Sequence, residues 1–177
     1  MILTRRRFVE GGGVLLAALA ARPAVAGNAE PVEILMEGND DGSHVWYDPV
    51  GIHIQPGQTV RWTNRDPGNS HTATAYHPAI SNRPRRIPAG AEPWDSDYIL
   101  PGESFSVTLT EEGVYDFYCV PHEHAGMVGR IVVGSPKSVD WMADAQADGD
   151  LEALPDVALK AFPSVEEIIR DGTVRRV

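Results

Sequence analysis

Residues 117–130 read Phe117-Tyr118-Cys119-Val120-Pro121-His122-Glu123-His124-Ala125-Gly126-Met127-Val128-Gly129-Arg130, which sets a thiol, an imidazole and a thioether at the spacing Cys-x2-His-x4-Met. In the run leading into it, Tyr115, Phe117 and Cys119 share one face of a period-two pattern while Tyr118 points the other way. A strand ending at Cys119, a tight turn helped by Pro121 and the small pair Ala125-Gly126 would bend Cys119, His122 and Met127 around a single point. A further donor has to come from elsewhere. His71, heading the run His71-Thr72-Ala73-Thr74-Ala75-Tyr76, is the candidate.

Thiolate and thioether are soft donors, and with two imidazoles they select copper over the metals that prefer oxygen. Two His and one Cys with a long axial Met form a blue-copper electron-transfer site. Singly, Cys119 would read as a small buried hydrophobe and His122 as a surface imidazole; jointly they point to metal. Cys119 is the only cysteine, so no internal disulfide is possible and the thiol needs either burial or ligation to explain it. His44, His53, His77 and His124 read as structural or surface residues, His53 facing solvent between Ile52 and Ile54. His124 is placed where it could compete with His122.

From residue 32 to residue 133 short β-prone runs alternate with Gly, Pro, Asn and Asp, and helical periodicity is absent. Strands are expected at 32–36, 45–47, 52–55, 59–63, 71–75, 104–109, 114–119 and 129–133, with turns at Pro56-Gly57 and Pro101-Gly102. Turns spaced this regularly imply an all-β sandwich. Between His77 and Ile99 runs a Pro-rich connection carrying Arg83, Arg85 and Arg86, half of the six basic residues in 27–134. It reads as a solvated loop or as a docking patch for an acidic partner. Beyond Gly134 the pattern turns helical: Ser138 can cap a segment reaching Gln146, Pro155 can open another, and Ser164 caps a last one that Gly172 ends. Trp141, Met142, Leu159, Phe162, Ile168 and Ile169 in these short helices need burial, against the sandwich or against a partner.

The 177 residues suffice for one domain with a hydrophobic core plus appendages. Thr4-Arg5-Arg6-Arg7-Phe8-Val9, an apolar stretch over 11–21 and Ala24-Val25-Ala26 have the layout of an export signal. The paired arginines before Phe8 suggest the twin-arginine type, with an ordinary secretory signal as the alternative. The apolar stretch is too short to span a bilayer. Removing Arg5, Arg6, Arg7, Arg22 and Glu10 from the whole-chain 15 basic and 25 acidic residues leaves 11 against 24, a net charge of −13. So acidic a chain argues against nucleic acid and anionic membranes as partners, and fits solubility, salt tolerance or steering toward a basic partner.

The stretch 54–133 resembles the plastocyanin, pseudoazurin and halocyanin group of small blue-copper proteins, the cupredoxin fold. The matching residues are Pro56-Gly57, Thr59-Val60-Arg61-Trp62, His71 after a polar turn, Pro101-Gly102-Glu103-Ser104-Phe105, Gly113 through Cys119 and the ligand loop. The resemblance implies an all-β Greek-key β-sandwich with a short C-terminal helical extension. It carries over His71, Cys119, His122 and Met127 as ligands of one copper ion, and it matches Tyr118 to a residue on one proposed electron route. Thr72 stands where members often have Asn, His124 fills a loop position seldom occupied by a potential ligand, and the helical tail has no counterpart in the compact members. Thr72 is expected to hydrogen-bond across to the ligand loop.

The expected organisation is a twin-arginine-type signal peptide over 1–26, a plastocyanin-like domain over 27–134 and a helical extension over 135–177. The expected function is single-electron shuttling between redox partner proteins in the periplasm or at the cell exterior, by a monomer with no transmembrane segment. Docking is expected at the edge of His122, framed by Pro121, Gly126 and Val128. A copper-delivery protein is the alternative, and the four methionines are few for one. A multicopper enzyme would need more His-x-His pairs than His122-Glu123-His124, and no acid/base pair, nucleophile triad or phosphate loop is recognisable, so no catalytic turnover is expected.

Overall fold

The computed structural model describes residues 30–135 and 151–175. The expected signal peptide and the helix proposed between Ser138 and Gln146, with Trp141 and Met142, lie outside them. Two sheets face each other. One has the order β2-β1-β4-β6, built from β1 (Val32–Gly38), β2 (Val45–Asp48), β4 (Gln58–Asn64) and β6 (Ser104–Leu109). The other has the order β5-β7-β8-β3-β9, built from β3 (Gly51–Ile54), β5 (Thr74–Ala75), β7 (Gly113–Tyr118), β8 (Val128–Val133) and β9 (Thr173–Val174). Pairing is antiparallel except for β1 with β4 and β3 with β8, which run parallel. This is the expected β-sandwich.

Period-two alternation produces the core directly. Ile34 and Met36 of β1, Val60 and Trp62 of β4, and Tyr115 and Phe117 of β7 point inward and are buried. Trp62 and Phe117 meet edge-on across the sandwich at 5.2 Å, and Tyr47 meets Phe117 at 4.8 Å. Each such side chain contributes about 1.5–3 kcal/mol through burial. The fit around Phe117 requires glycine on the neighbouring strand, because a Cβ at Gly129 would lie 2.3 Å from Phe117 Cζ. The Pro56-Gly57 and Pro101-Gly102 turns form as expected, with φ of 87° at Gly57 and 85° at Gly102.

Four sequence expectations need correction. The strand expected over 71–75 forms a ladder only at β5; His71 sits ahead of it in an isolated bridge to Ile99. Arg83 and Arg86 do not form a solvated patch. Arg83 is buried and pairs with Glu123, while Arg86 pairs with the fully buried Asp116, with nitrogens at 2.8 and 2.7 Å. His53 is half-buried, its Nε2 lying 2.6 Å from the Gly134 carbonyl oxygen. Leu159 and Ile169 stay exposed, at 47% and 45%.

The C-terminal residues explain why β7 is buried on both faces. Helices α1 (Asp156–Ala161) and α2 (Val165–Asp171) pack on the outer side of the second sheet. Leu154 and Ala158 join Tyr76, Tyr118 and Val128 in one apolar cluster, and Ile168 joins Val50, Val132 and Val174 in another. Ser164 caps α2 by accepting from the Glu167 N–H at 3.1 Å, and Gly172 closes it at φ 72°. The chain then adds β9 to the edge of β3, an element too short to be read from sequence.

Candidate metal centre

The strand-to-loop transition at Cys119 assembles the site. After β7 the chain enters a 3-10 helix (Val120–Ala125) opened by Pro121 and closed by Gly126 at φ 82°. Two backbone hydrogen bonds fold the loop back on itself: Cys119 N–H donates to the Met127 carbonyl at 3.0 Å, and Met127 N–H to the His122 carbonyl at 3.1 Å. The second sheet thus carries Cys119, His122 and Met127, while His71 arrives from the segment beside Ile99. Tyr47 O–H donates to the Thr72 carbonyl and holds that segment down.

Three donor atoms converge. Cys119 Sγ lies 3.3 Å from His122 Nδ1 and 3.6 Å from His71 Nδ1, and the two Nδ1 atoms are 3.1 Å apart. His71, Cys119 and Met127 have no exposed surface, whereas His122 is half-buried. Met127 is packed in the same apolar core as Cys119. His124 is exposed and is not part of the cluster.

Thr72 makes the link expected of it. Its hydroxyl accepts from Val120 N–H at 2.9 Å, and its own N–H donates to Cys119 Sγ at 3.3 Å. Sequence reasoning missed two carboxylates. Asp66 is 1% exposed, and its Oδ2 lies 3.0 Å from His71 Nε2. Glu123, also 1% exposed, accepts from Tyr76 O–H at 2.8 Å and pairs with Arg83, anchoring the loop between His122 and Met127 to the body of the protein. The turn-forming run Asp66-Pro67-Gly68-Asn69 shortly before His71 was the available signal for Asp66; nothing local marks Glu123.

Two expectations about contact with partners change in the described residues. Tyr118 is 2% exposed and stacks on Tyr76 at 4.3 Å beneath Leu154 and Ala158, so no partner can touch it there. Val128 is 1% exposed, and Gly126 lies against Val157 and Ala161 of α1. The frame around His122 is instead Pro121 with the exposed Val120, and the exposed Val157 on the Gly126 side.

Burial sets the protonation states. It pushes the Cys119 thiol up to about 11, hydrogen bonds from Thr72 and His122 opposing it only in part. It also lowers His122, with Asp66 acting the other way, and lowers His71 despite the hydrogen bond to Asp66. Burial disfavours the Asp66 charge, but donors from Asn69, Gly68 and His71 outweigh it and hold the group below the usual carboxylate range. Near neutral pH the imidazoles are thus uncharged and ready to donate, while Cys119 still carries its proton. Loading with copper(II) at pH 7–8 is expected to release about one proton per metal, and apparent affinity to rise about tenfold per pH unit. Proton uptake by a pH indicator during titration checks this.

The donor set fits copper: two neutral imidazole nitrogens and one sulfur lie within 4.8 Å of one another in a pocket closed to water on the Cys119 side. Fold and site together define a β-sandwich protein with a mixed nitrogen and sulfur metal centre. A profile of the family described as copper binding proteins, plastocyanin/azurin family, matches residues 32–134, and the chain belongs to that family. It is similar to the chloroplastic plastocyanin of Fritillaria agrestis, 40% identical over 128 residues that cover 71% of this chain and 74% of that protein. The chloroplastic plastocyanin of Silene latifolia subsp. alba is 36% identical over 127 residues, 68% of this chain and 71% of that one. Among solved structures, a pseudoazurin from Sinorhizobium matches with a TM-score of 0.51 and 27% identity, covering 79% of this chain and 98% of that one. The cofactor is one copper ion and the protein is a blue-copper electron-transfer protein.

Proposed function

We propose that the protein is an exported one-electron shuttle whose copper ion is held by His71, Cys119, His122 and Met127. The convergence of His71 Nδ1, His122 Nδ1 and Cys119 Sγ inside a buried pocket carries this reading. Bound copper supplies a one-electron couple, and the mixed soft and nitrogen donors suit both of its oxidation states. The chain supplies rigidity. Thr72 ties the His71 segment to both Cys119 and Val120, and Glu123 pins the ligand loop through Tyr76 and Arg83. Little can rearrange when the charge changes.

With Tyr118 covered, the half-buried His122 is the exit for the electron, and redox partner proteins dock transiently on the surface of Val120, Pro121 and Val157 beside it. The protein carries electrons without turnover of its own, as a monomer. Residues 1–26 serve as a twin-arginine-type signal peptide ahead of the copper domain at 27–134 and the extension at 135–177, and the site of action is the periplasm or the cell exterior. The Thr4-Arg5-Arg6-Arg7-Phe8-Val9 run supports export. Among the described residues no helix is long and apolar enough to cross a membrane.

Copper(II) titration of the apo-protein tests the reading. One equivalent should saturate an intense visible charge-transfer band, and voltammetry should return a reversible one-electron wave. Stoichiometric binding with no such band would overturn electron carriage in favour of copper delivery.

A further inference from the structure

Asp66 is locked in place behind His71. Its Oδ1 accepts from Gly68 N–H at 2.8 Å and from Asn69 N–H at 3.2 Å, and its Oδ2 accepts from Asn69 Nδ2 at 2.8 Å. The Asp66 N–H donates to Asn64 Oδ1 at 2.9 Å and to the Met36 carbonyl at 3.1 Å. The carboxylate packs directly against the backbone at Gly38, where a Cβ would lie 2.1 Å from Oδ2. What remains of its accepting capacity faces His71 Nε2 at 3.0 Å, on the opposite side of the ring from the nitrogen that faces Cys119 and His122. Both side chains are buried, at 0% and 1% exposure, so no water screens the pair.

We infer that Asp66 is a positioning residue for the copper centre, fixing His71 as the Nε2–H tautomer with Nδ1 free to ligate, and placing a buried negative charge that favours the oxidised metal. The inference rests on the copper reading above and adds a determinant of potential to it. A ring nitrogen that donates to a carboxylate leaves the other nitrogen as an oriented and more basic donor. A negative charge this close, in a medium of low dielectric, interacts more favourably with the doubly than with the singly charged ion. The charge therefore lowers the reduction potential.

The experiment compares wild type, Asp66→Asn and Asn69→Ala. In the apo-proteins, nitrogen-15 shifts of the His71 ring are read; wild type should show Nε2–H alone, and Asp66→Asn a mixture of tautomers. In the copper proteins, the visible band should persist in Asp66→Asn while copper(II) affinity falls about 10- to 100-fold. Each tenfold loss confined to copper(II) raises the potential by about 59 mV. Asn69→Ala keeps the charge and removes one clamp, so it should let the His71 tautomer mix, by less than Asp66→Asn does, and the tautomer decides the matter if Asp66→Asn does not fold. An unaltered His71 tautomer, or an unchanged or lower potential in folded Asp66→Asn with the band intact, would overturn the assignment. A wild-type protein with no band would instead refute the copper reading, leaving the apo-protein tautomer to judge Asp66 alone.

Discussion

Cys119→Ser is expected to abolish the visible charge-transfer band completely and to leave copper(II) weakly held. Only a thiolate can supply that transition, and Cys119 is the only cysteine in the chain, so no other residue can substitute. The loss should far exceed the 10- to 100-fold weakening typical when an outer partner such as Asp66 is changed. A hydroxyl is a hard donor that stays protonated, and copper(I) in particular has little affinity for it. Unfolding should not confound the result. Thr72 N–H, which reaches Sγ at 3.3 Å, can donate to the serine oxygen. Absorption spectra of the copper-loaded proteins beside thermal melts of the apo forms check both halves. A band that survived the substitution would remove the thiolate from the centre.

Much of this was readable from residue order because it depends on local periodicity. β6 falls where alternation placed it, over Ser104–Leu109, β7 is shifted by one residue at both ends, and β8 starts one residue earlier than expected. The ligand loop is compact in sequence, so the Cys-x2-His-x4-Met spacing sufficed to gather Cys119 with His122. His71 was harder. Its place beside the loop depends on the bridge to Ile99, on the Tyr47 hydrogen bond to Thr72 and on the links from Thr72 to Cys119 and Val120, all made across long sequence separations.

What the sequence could not show is which charges find each other. Asp116 lies on the face of β7 opposite Phe117, where alternation predicts solvent, and Arg83 and Arg86 lie in an irregular loop where solvation is the default. The C-terminal segment changes both outcomes by covering that face. Asp66 and Glu123 escaped notice for the same reason: a carboxylate in a turn or beside a ligand reads as surface until the partners that bury it are known. Ion pairs made over 30 or 40 residues leave no periodic trace.

The buried charge at Asp116 supports the second large prediction. Its carboxylate, with no exposed surface, accepts from Arg86 Nε at 2.8 Å, from Arg130 Nε at 2.7 Å and from Arg130 Nη2 at 3.0 Å. Both guanidinium groups lie over the Phe162 ring, at 5.1 and 5.0 Å, and Arg130 Nη1 donates to the Pro163 carbonyl at 2.8 Å. The cluster therefore clamps the C-terminal segment onto the outer face of the second sheet. Asp116→Ala removes a buried anion that both guanidinium groups contact, and breaking a buried pair in this way costs about 3–5 kcal/mol. For a domain of this size that lowers the melting midpoint by roughly 10 °C. Asp116→Asn, which keeps acceptor and shape but not charge, should fall between wild type and the alanine variant. Limited proteolysis should cut within 151–175 sooner in both variants, because Phe162 and Pro163 lose their anchor. The visible band of folded, copper-loaded variants should keep its position, since Asp116 faces away from Cys119 across the strand. A stability change below about 1 kcal/mol, the range of an exposed pair, would show that the apolar contacts and the β9 pairing hold the segment without the charge cluster. A displaced band would show that the clamp reaches the ligand loop, through Tyr76, whose carbonyl accepts from Arg86 N–H at 2.9 Å and whose hydroxyl donates to Glu123.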